Sequence, residues 1–457
     1  MKKFRKLRIP AFFLLLFVLY WKAPDYVGEN TATRIDLTKA IVFDHSFQID
    51  NYVKNTGDWS QRDGHYYTNK APGSSLLLVP FYYAFVAVEK ARGLDPLEHE
   101  LDLANIRRTD LFVTALPSVL LCFLFLGYLL SKVSLRGPPG APGTAANSND
   151  AWVVLFTYAV ATIAFPYSTM LWGHQTAAAF LFSSFICLRK NKYGLGGLLA
   201  ATAVLTEYST FLGVTGLGFY ILFADGASGP ALKARMGALV KFVAGAVPIL
   251  VIFVAYHKIC FGGWFALPLN VHFLNPALVV PDDSEKLLGV LGVPSFEALY
   301  GILVSTERGL FYLSPVLLIA FTGFYRWFRV REERGEALLA AWIVFSGVWF
   351  NMSFKGWHGG WCVGPRYLVP ILPFLVASLI WVKPGKVFYI LLAVSALNML
   401  AIVSVDMQPP RMTNTLTEKI YADLLTRKHL WPKFTFLTMI AGLLFALVRL
   451  GEPQKEF

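Results

Sequence analysis

The stretch KKFRKLRIPAFFLLLFVLYWK, residues 2–22, sets a basic cluster against an apolar core that ends in Tyr20 and Trp21. A signal peptide begins the same way, but no small-residue cleavage site follows Trp21, and the chain behind it is itself apolar enough to be membrane-embedded. The stretch therefore reads as an uncleaved first span with its basic end in the cytoplasm. The 457-residue chain as a whole has this character, with 56% hydrophobic and 15% charged residues and a mean hydropathy of +0.52. A soluble domain carries about a quarter charged residues, so a water-soluble fold is excluded.

No polar stretch of ~100 residues, the size of an independent domain, interrupts the apolar runs. The expectation is one all-α polytopic membrane domain over residues 1–457. Because about 20 apolar residues cross a hydrocarbon core, the further spans fall near 110–131, 151–171, 175–188, 194–207, 209–224, 242–260, 309–325, 336–353, 367–382, 387–405 and 434–449, giving about 12 transmembrane helices. Lys and Arg outnumber Asp and Glu by 41 to 29, yet the basic residues sit beside the apolar runs. They are topology signals, and no nucleic-acid partner is implied. Cys122, Cys187, Cys260 and Cys362 form no CxxC pair and meet no His cluster, which indicates neither a disulfide scaffold nor a zinc site.

The segment Gly73 to Val88 decides the sidedness. If it crossed, the clusters Arg189/Lys190/Lys192, Lys233/Arg235/Lys241 and Arg326/Arg329/Arg331/Arg334 would all lie outside; if it lies on or dips into the outer face, they join the basic N-terminus inside. The second arrangement is expected. Both termini and the Leu135–Asp150 linker are then cytoplasmic, and the long loops 22–109, 261–308, 354–366 and 406–433 are outside.

The first outer loop carries ENTATRIDLTKAIVFDHSFQIDNYVKNTGDWSQRDGHYYTNKAPG, residues 29–73. Glu29, Asp36, Asp44, Asp50, Asp58 and Asp63 lie there beside Arg34 and Lys70, and carboxylates this near a bilayer need partners or a purpose. A second constellation is KGWHGGWCVGPRY, residues 355–367. There Trp357 and Trp361 offer faces for a sugar ring, the glycines admit close approach, and Arg366, with His358, can reach an anionic group. These two loops are expected to face each other across one cavity.

Taken together, the first span, the acid-bearing loop with TRIDLTKAI (residues 33–41), the KAPG element (residues 70–73) entering an apolar helix, and a span pair ending near Gly173-His174-Gln175 resemble the GT-C superfamily of membrane glycosyltransferases. The nearest form is the bacterial protein mannosyltransferase-like and aminoarabinose transferase-like group. The resemblance implies a GT-C-like fold, with juxtamembrane helices in the first outer loop, in a bacterial inner membrane. It also implies a polyprenyl-phosphate sugar donor, a glycan, lipid or protein acceptor, and a site on the periplasmic face. In that superfamily an acid soon after the first span is the catalytic base, commonly in an acidic pair just before the helix matched here by Thr33 to Ile41. This chain has Thr31 and Ala32 at that place, and Glu29 is its nearest acid.

Inverting glycosyl transfer needs one carboxylate to take the acceptor proton and positive charge on the leaving phosphate. Glu29 and Asp50 rank first as base, then Asp58, with Asp36 behind because its helix would expose it to water. Arg34 and Lys70 are the candidates for the lipid phosphate. His65, His174, Glu207, Trp357, His358, Trp361 and Arg366 are expected to contact substrate, while His272 and residues 306–309 read first as hydrated loop and, in the alternative, as lining of the cavity from the second large loop. No cofactor is indicated; a divalent cation at the phosphate stays open, with no ligand set legible. Two alternatives accompany this reading: a carrier or flippase of lipid-linked sugars, and an inactive GT-C scaffold that keeps the carrier for a partner enzyme. A carrier would string ionisable groups along a central path, whereas here they gather at one face.

Overall fold

The structure is a computed structural model, and it describes residues 2–23, 27–133, 148–224, 231–270, 273–276, 290–412 and 414–449. It is helical nearly throughout, as a chain must be where hydrocarbon offers the backbone no hydrogen-bond partner. Among the described residues, six helices are long and apolar enough to cross a membrane: Gly73–Ala91, His99–Val133, Leu232–Phe261, Arg331–Ser353, Lys386–Val405 and Lys428–Arg449. Tyr193–Thr206, Tyr208–Phe223 and Arg366–Trp381 are shorter apolar helices. The Lys2–Lys22 helix packs along Trp431–Arg449, and Arg8 donates to the carbonyls of Leu447 and Val448. This is an all-α polytopic membrane fold.

Several expected spans are not continuous helices. The one expected at 151–171 ends as Ser148–Ala161; Thr162 turns its hydroxyl back to the Tyr158 carbonyl, and Pro166 removes a donor from the short turn Ala164–Tyr167. Helix resumes at His174–Arg189, after Gly173 at φ +82°. The run expected at 309–325 likewise divides into Leu310–Leu313, Pro315–Ile319 and Ala320–Arg329, with Pro315 at the break. Gly73–Ala91, expected to lie on the outer face, is by length and composition one of the six, and it packs on the polar Glu29–Lys39 helix.

The first loop is folded. Glu29–Lys39 continues into a wide turn, Ala40–Asp44, and nearly all of its side chains are buried. Asp36 is among them, so its expected exposure to water is corrected: it faces the segment 53–55, and Asn55 Nδ2 donates to its Oδ1 at 3.0 Å. Trp59–Arg62 pairs antiparallel with His65–Thr68, and both loop residues, Asp63 and Gly64, have positive φ. That is the tight hairpin turn whose twist matches its strands.

Candidate functional site

The Glu29–Lys39 helix clamps the chain on either side of Asp58. Thr33 Oγ1 lies 2.8 Å from the Asp58 carbonyl and 2.9 Å from Thr68 Oγ1. Thr56 Oγ1 donates to the Glu29 carbonyl at 3.0 Å, and the Glu29 carboxylate accepts the Gly57 N–H. The hairpin then returns the chain to Asn69 and Lys70. Lys70 Nζ lies 3.0 Å from Asp58 Oδ2, and Asn69 Nδ2 donates to Oδ1 at 3.4 Å.

Two glycines bring three further elements onto this pair. A Cβ on Gly73 would lie 2.6 Å from the Thr206 backbone, which ties the KAPG turn to the end of Tyr193–Thr206. A Cβ on Gly173 would lie 2.8 Å from Ser74 Oγ and 3.2 Å from Arg34 Nη1, so only glycine fits there. Beyond Gly173, His174 Nδ1 sits 2.9 Å from Glu207 Oε2. Buried Arg34 donates to Asn30 Oδ1 at 3.1 Å and to the Ala71 carbonyl at 3.3 Å.

Arg366 reaches the same place from the 355–367 loop. Its guanidinium carbon stands 5.2 Å from the Trp172 ring centre and 4.9 Å from that of Tyr367, whose hydroxyl accepts Nη2 at 2.9 Å. Gly359 and Gly360 adopt φ +71° and +72°, a left-handed pair that folds the loop back. His174 sees Tyr367 edge-on at 5.7 Å and Tyr167 at 5.6 Å. Arg366 thus brings the 355–367 loop toward the first loop, where its charge acts on Asp58 and Lys70.

The charges are strongly coupled. Burial alone would push the Asp58 carboxyl up, but Lys70, then Arg366, hold it below the ordinary carboxylate range. Burial pushes Lys70 down to about 8, with Asp58 opposing and Arg366 and Arg34 assisting. Burial likewise lowers Arg34 to about 10, with Glu207 opposing and Arg366 assisting. The result is a desolvated cluster in which Lys70, Arg34 and Arg366 outnumber the carboxylates of Asp58 and Glu207, a field that favours an incoming anion.

The structure does not gather every expected residue into this cluster. Asp50 binds His65 Nδ1 at 2.7 Å and the Tyr66 N–H at 2.7 Å, at the exposed side of the hairpin. Trp357 packs its ring on Gly301, where a Cβ would lie 2.2 Å from it. His358 accepts the Gly360 N–H at 3.0 Å and is pushed down to about 4 by burial and by Arg411 and Arg308. Trp361 is exposed. His272 lies outside the described residues. Arg308, expected in hydrated loop, is instead fully buried and donates to the Gly360 carbonyl at 2.9 Å. Its desolvated charge faces the carbonyls of Gly360 and Pro409 and, at 4.0 Å, the Glu307 carboxylate. Among the described residues no three His, Cys, Asp or Glu side chains cluster as a metal site. Sequence reading missed Tyr167, Trp172 and Tyr367; the motif Gly173-His174 and the run Pro365-Arg366-Tyr367 were the available signals.

No protein-family model matches the chain, and no curated protein matches it. Among solved structures, similarity extends to ArnT from Cupriavidus metallidurans bound to undecaprenyl phosphate. The two share 13% identity with a TM-score of 0.47, over 99% of this chain and 77% of that one.

Proposed function

We propose that the protein is a membrane glycosyltransferase that moves a sugar from a polyprenyl-phosphate donor to a glycan, lipid or protein acceptor at the outer membrane surface. The observation that carries this is the convergence of Lys70, Arg34 and Arg366 on one ionised, largely buried aspartate, Asp58. Asp58 takes the proton of the acceptor hydroxyl. The acceptor oxygen then attacks the anomeric carbon, the bond from that carbon to the phosphate oxygen breaks, and the electron pair leaves with the phosphate. Lys70 and Arg366 neutralise that phosphate, with Arg34 adding positive field behind them. Arrival of the donor also draws Lys70 away from Asp58, which raises the basicity of the carboxylate when the acceptor needs it.

His174 and Glu207 form a second polar pair at the edge of this field, suited to hydroxyls of the donor sugar. A divalent cation would find carboxylates in Asp58 and Glu207, while Lys70, Arg34 and Arg366 themselves supply positive charge to the phosphate. The test is transfer by purified protein in lipid nanodiscs, with polyprenyl-phosphate-linked sugars and an envelope extract as acceptor source. Wild type transfers and Asp58→Asn does not; movement of the lipid across a bilayer without transfer would replace this reading by a carrier. Sidedness is tested by Ser148→Cys, which is expected to resist an impermeant thiol reagent in intact cells.

A further inference from the structure

A cavity of about 260 Å³ lies beside the site, beneath the indole of Trp361. Val403 and Val405 form one wall, and Asp406, Gln408 and Lys433 supply the polar groups. Trp361 is 68% exposed at its mouth, an unusual position for the largest apolar side chain. It is nonetheless held on a fixed turn, because Gly359 and Gly360 are both left-handed and the Gly360 carbonyl is pinned by buried Arg308. The same guanidinium nitrogen lies 3.4 Å from the Pro409 carbonyl and so joins the turn to the segment that forms the cavity floor. An exposed but preorganised aromatic face binds with little further loss of freedom.

The floor is equally defined. Asp406 Oδ1 accepts the Gln408 N–H at 2.8 Å, while Oδ2 has Lys419 Nζ only at 3.9 Å. Gln408 lies against the backbone of Gly28, where a Cβ would fall 2.0 Å from Oε1. Gly28 precedes Glu29, whose carboxylate holds Gly57 next to Asp58. Met407 is tied to Thr169, in the segment that leads to Trp172. The cavity is therefore linked to the Asp58 cluster through Gln408, Gly28 and Glu29 on one side and through Met407, Thr169 and Trp172 on the other.

We infer that the cavity beneath Trp361 docks one neutral sugar residue of the acceptor. An indole face with an aliphatic wall fits the C–H side of a pyranose, and a carboxylate, an amide and an ammonium fit its hydroxyl rim. Its size lies just under the ~300–1,000 Å³ of sites for drug-sized ligands, which suits a single ring. Asp406 and Lys433 balance each other in the lining, and Trp361 with Val403 and Val405 supplies its apolar face, so a neutral ring fits it better than an anionic lipid head group. The inference rests on the transferase reading insofar as the sugar belongs to an acceptor.

The experiment is saturation-transfer NMR on the full chain in zwitterionic nanodiscs, with a panel of methyl hexosides and methyl N-acetylhexosaminides as probes. At least one is expected to bind, with saturation strongest on the ring protons of one face. Affinity should fall about tenfold or more in Trp361→Ala and in Asp406→Asn, as for loss of a central contact, and recover in part in Trp361→Phe. Lys70→Ala should leave this binding unchanged. Binding by no member of the panel, or binding indifferent to Trp361, overturns the inference. Saccharide binding lost in Lys70→Ala and kept in Trp361→Ala puts the sugar in the donor site and sinks the inference while sparing the transferase reading. If the panel binds through Trp361 and undecaprenyl phosphate does not bind at all, the subsite stands and the transferase reading falls. Competition by anionic phospholipid but by no sugar would make the cavity a lipid site.

Discussion

Two acid–base pairs stand on opposite sides of the same hairpin, and they differ in almost everything except distance. Asp58 and Lys70 are 3.0 Å apart with side chains 18% and 12% exposed. Asp50 and His65 are 2.7 Å apart with 38% and 48% exposed. The outer pair sits in solvent, where an ion pair is worth ~1 kcal/mol or less, and its aspartate also caps the Tyr66 N–H, a structural task. The inner pair feels the charge of Arg366, a residue about three hundred positions away in the chain. Proximity of an acid to a base therefore says little about reactivity; the desolvated field around the pair says much more.

The largest effect expected from this difference is on Asp58. Asp58→Asn keeps the shape and the Asn69 contact but cannot accept a proton, so transfer should fall by ~10² to 10⁴ in rate, the usual range for loss of a general base. Donor binding, read by titration with undecaprenyl phosphate, should be kept or strengthened, because the amide no longer competes for Lys70. Wild-type transfer by this variant would dissolve the distinction between the two pairs and return the role to Glu29.

Next in size are the cations. Lys70→Ala and Arg366→Ala should each weaken undecaprenyl phosphate binding by about 10- to 100-fold, the cost of a charge-assisted contact of ~1.5–3 kcal/mol. Arg366→Lys should recover little, since a point charge replaces neither the fork nor the stacking between Trp172 and Tyr367. His65→Ala serves as the matched control on the outer pair, and equal losses there would refute the assignment.

A smaller effect, with a definite sign, follows from the depressed Lys70. A group lowered to about 8 carries its charge below that pH and loses it above. Binding of the lipid phosphate should be full near neutrality and decline as pH rises through about 8, with a midpoint displaced upward by the bound phosphate. Lys70→Arg should abolish this decline because arginine stays protonated. On the acid side, Asp58 gains its proton only below the ordinary carboxylate range, so transfer should keep its rate down through that range before an acid limb sets in.

How much of this the sequence disclosed depends on the range of the signal. The helical membrane class followed from composition, and the basic flank of Lys2–Lys22 from its immediate neighbours. Lys70, Arg34, His174, Glu207 and Arg366 were legible as polar residues where apolar ones would suffice. Two local signals went unread. Asp63-Gly64 between alternating residues marks a hairpin, and that turn is what returns Lys70 to Asp58. Proline at 166 and glycine at 173 break an apolar run whose hydropathy alone implied one span. The ranking of the acids was not legible in principle, because the burial of Asp36 and the exposure of Asp50 are set by which face of a folded loop meets Gly73–Ala91 and the 355–367 loop. Periodicity along one short helix carries no such information.

The smallest expected effect sharpens the comparison most. Asp50→Asn removes the charge facing His65 yet leaves an oxygen for the Tyr66 N–H, so the hairpin keeps its register. An exposed pair contributes ~1 kcal/mol or less to stability, and this one faces neither Arg34 nor Arg366 in any described contact. Transfer by Asp50→Asn should therefore stay within about twofold of wild type, since surface changes away from buried networks are usually within ±0.5 kcal/mol. His65→Ala should behave alike, and the double variant should show no more than the sum of the two, measured as initial rates at saturating donor. A loss approaching that of Asp58→Asn would mean that the outer face of the hairpin meets the acceptor, and that an exposed carboxylate, activated only when substrate covers it, takes the proton.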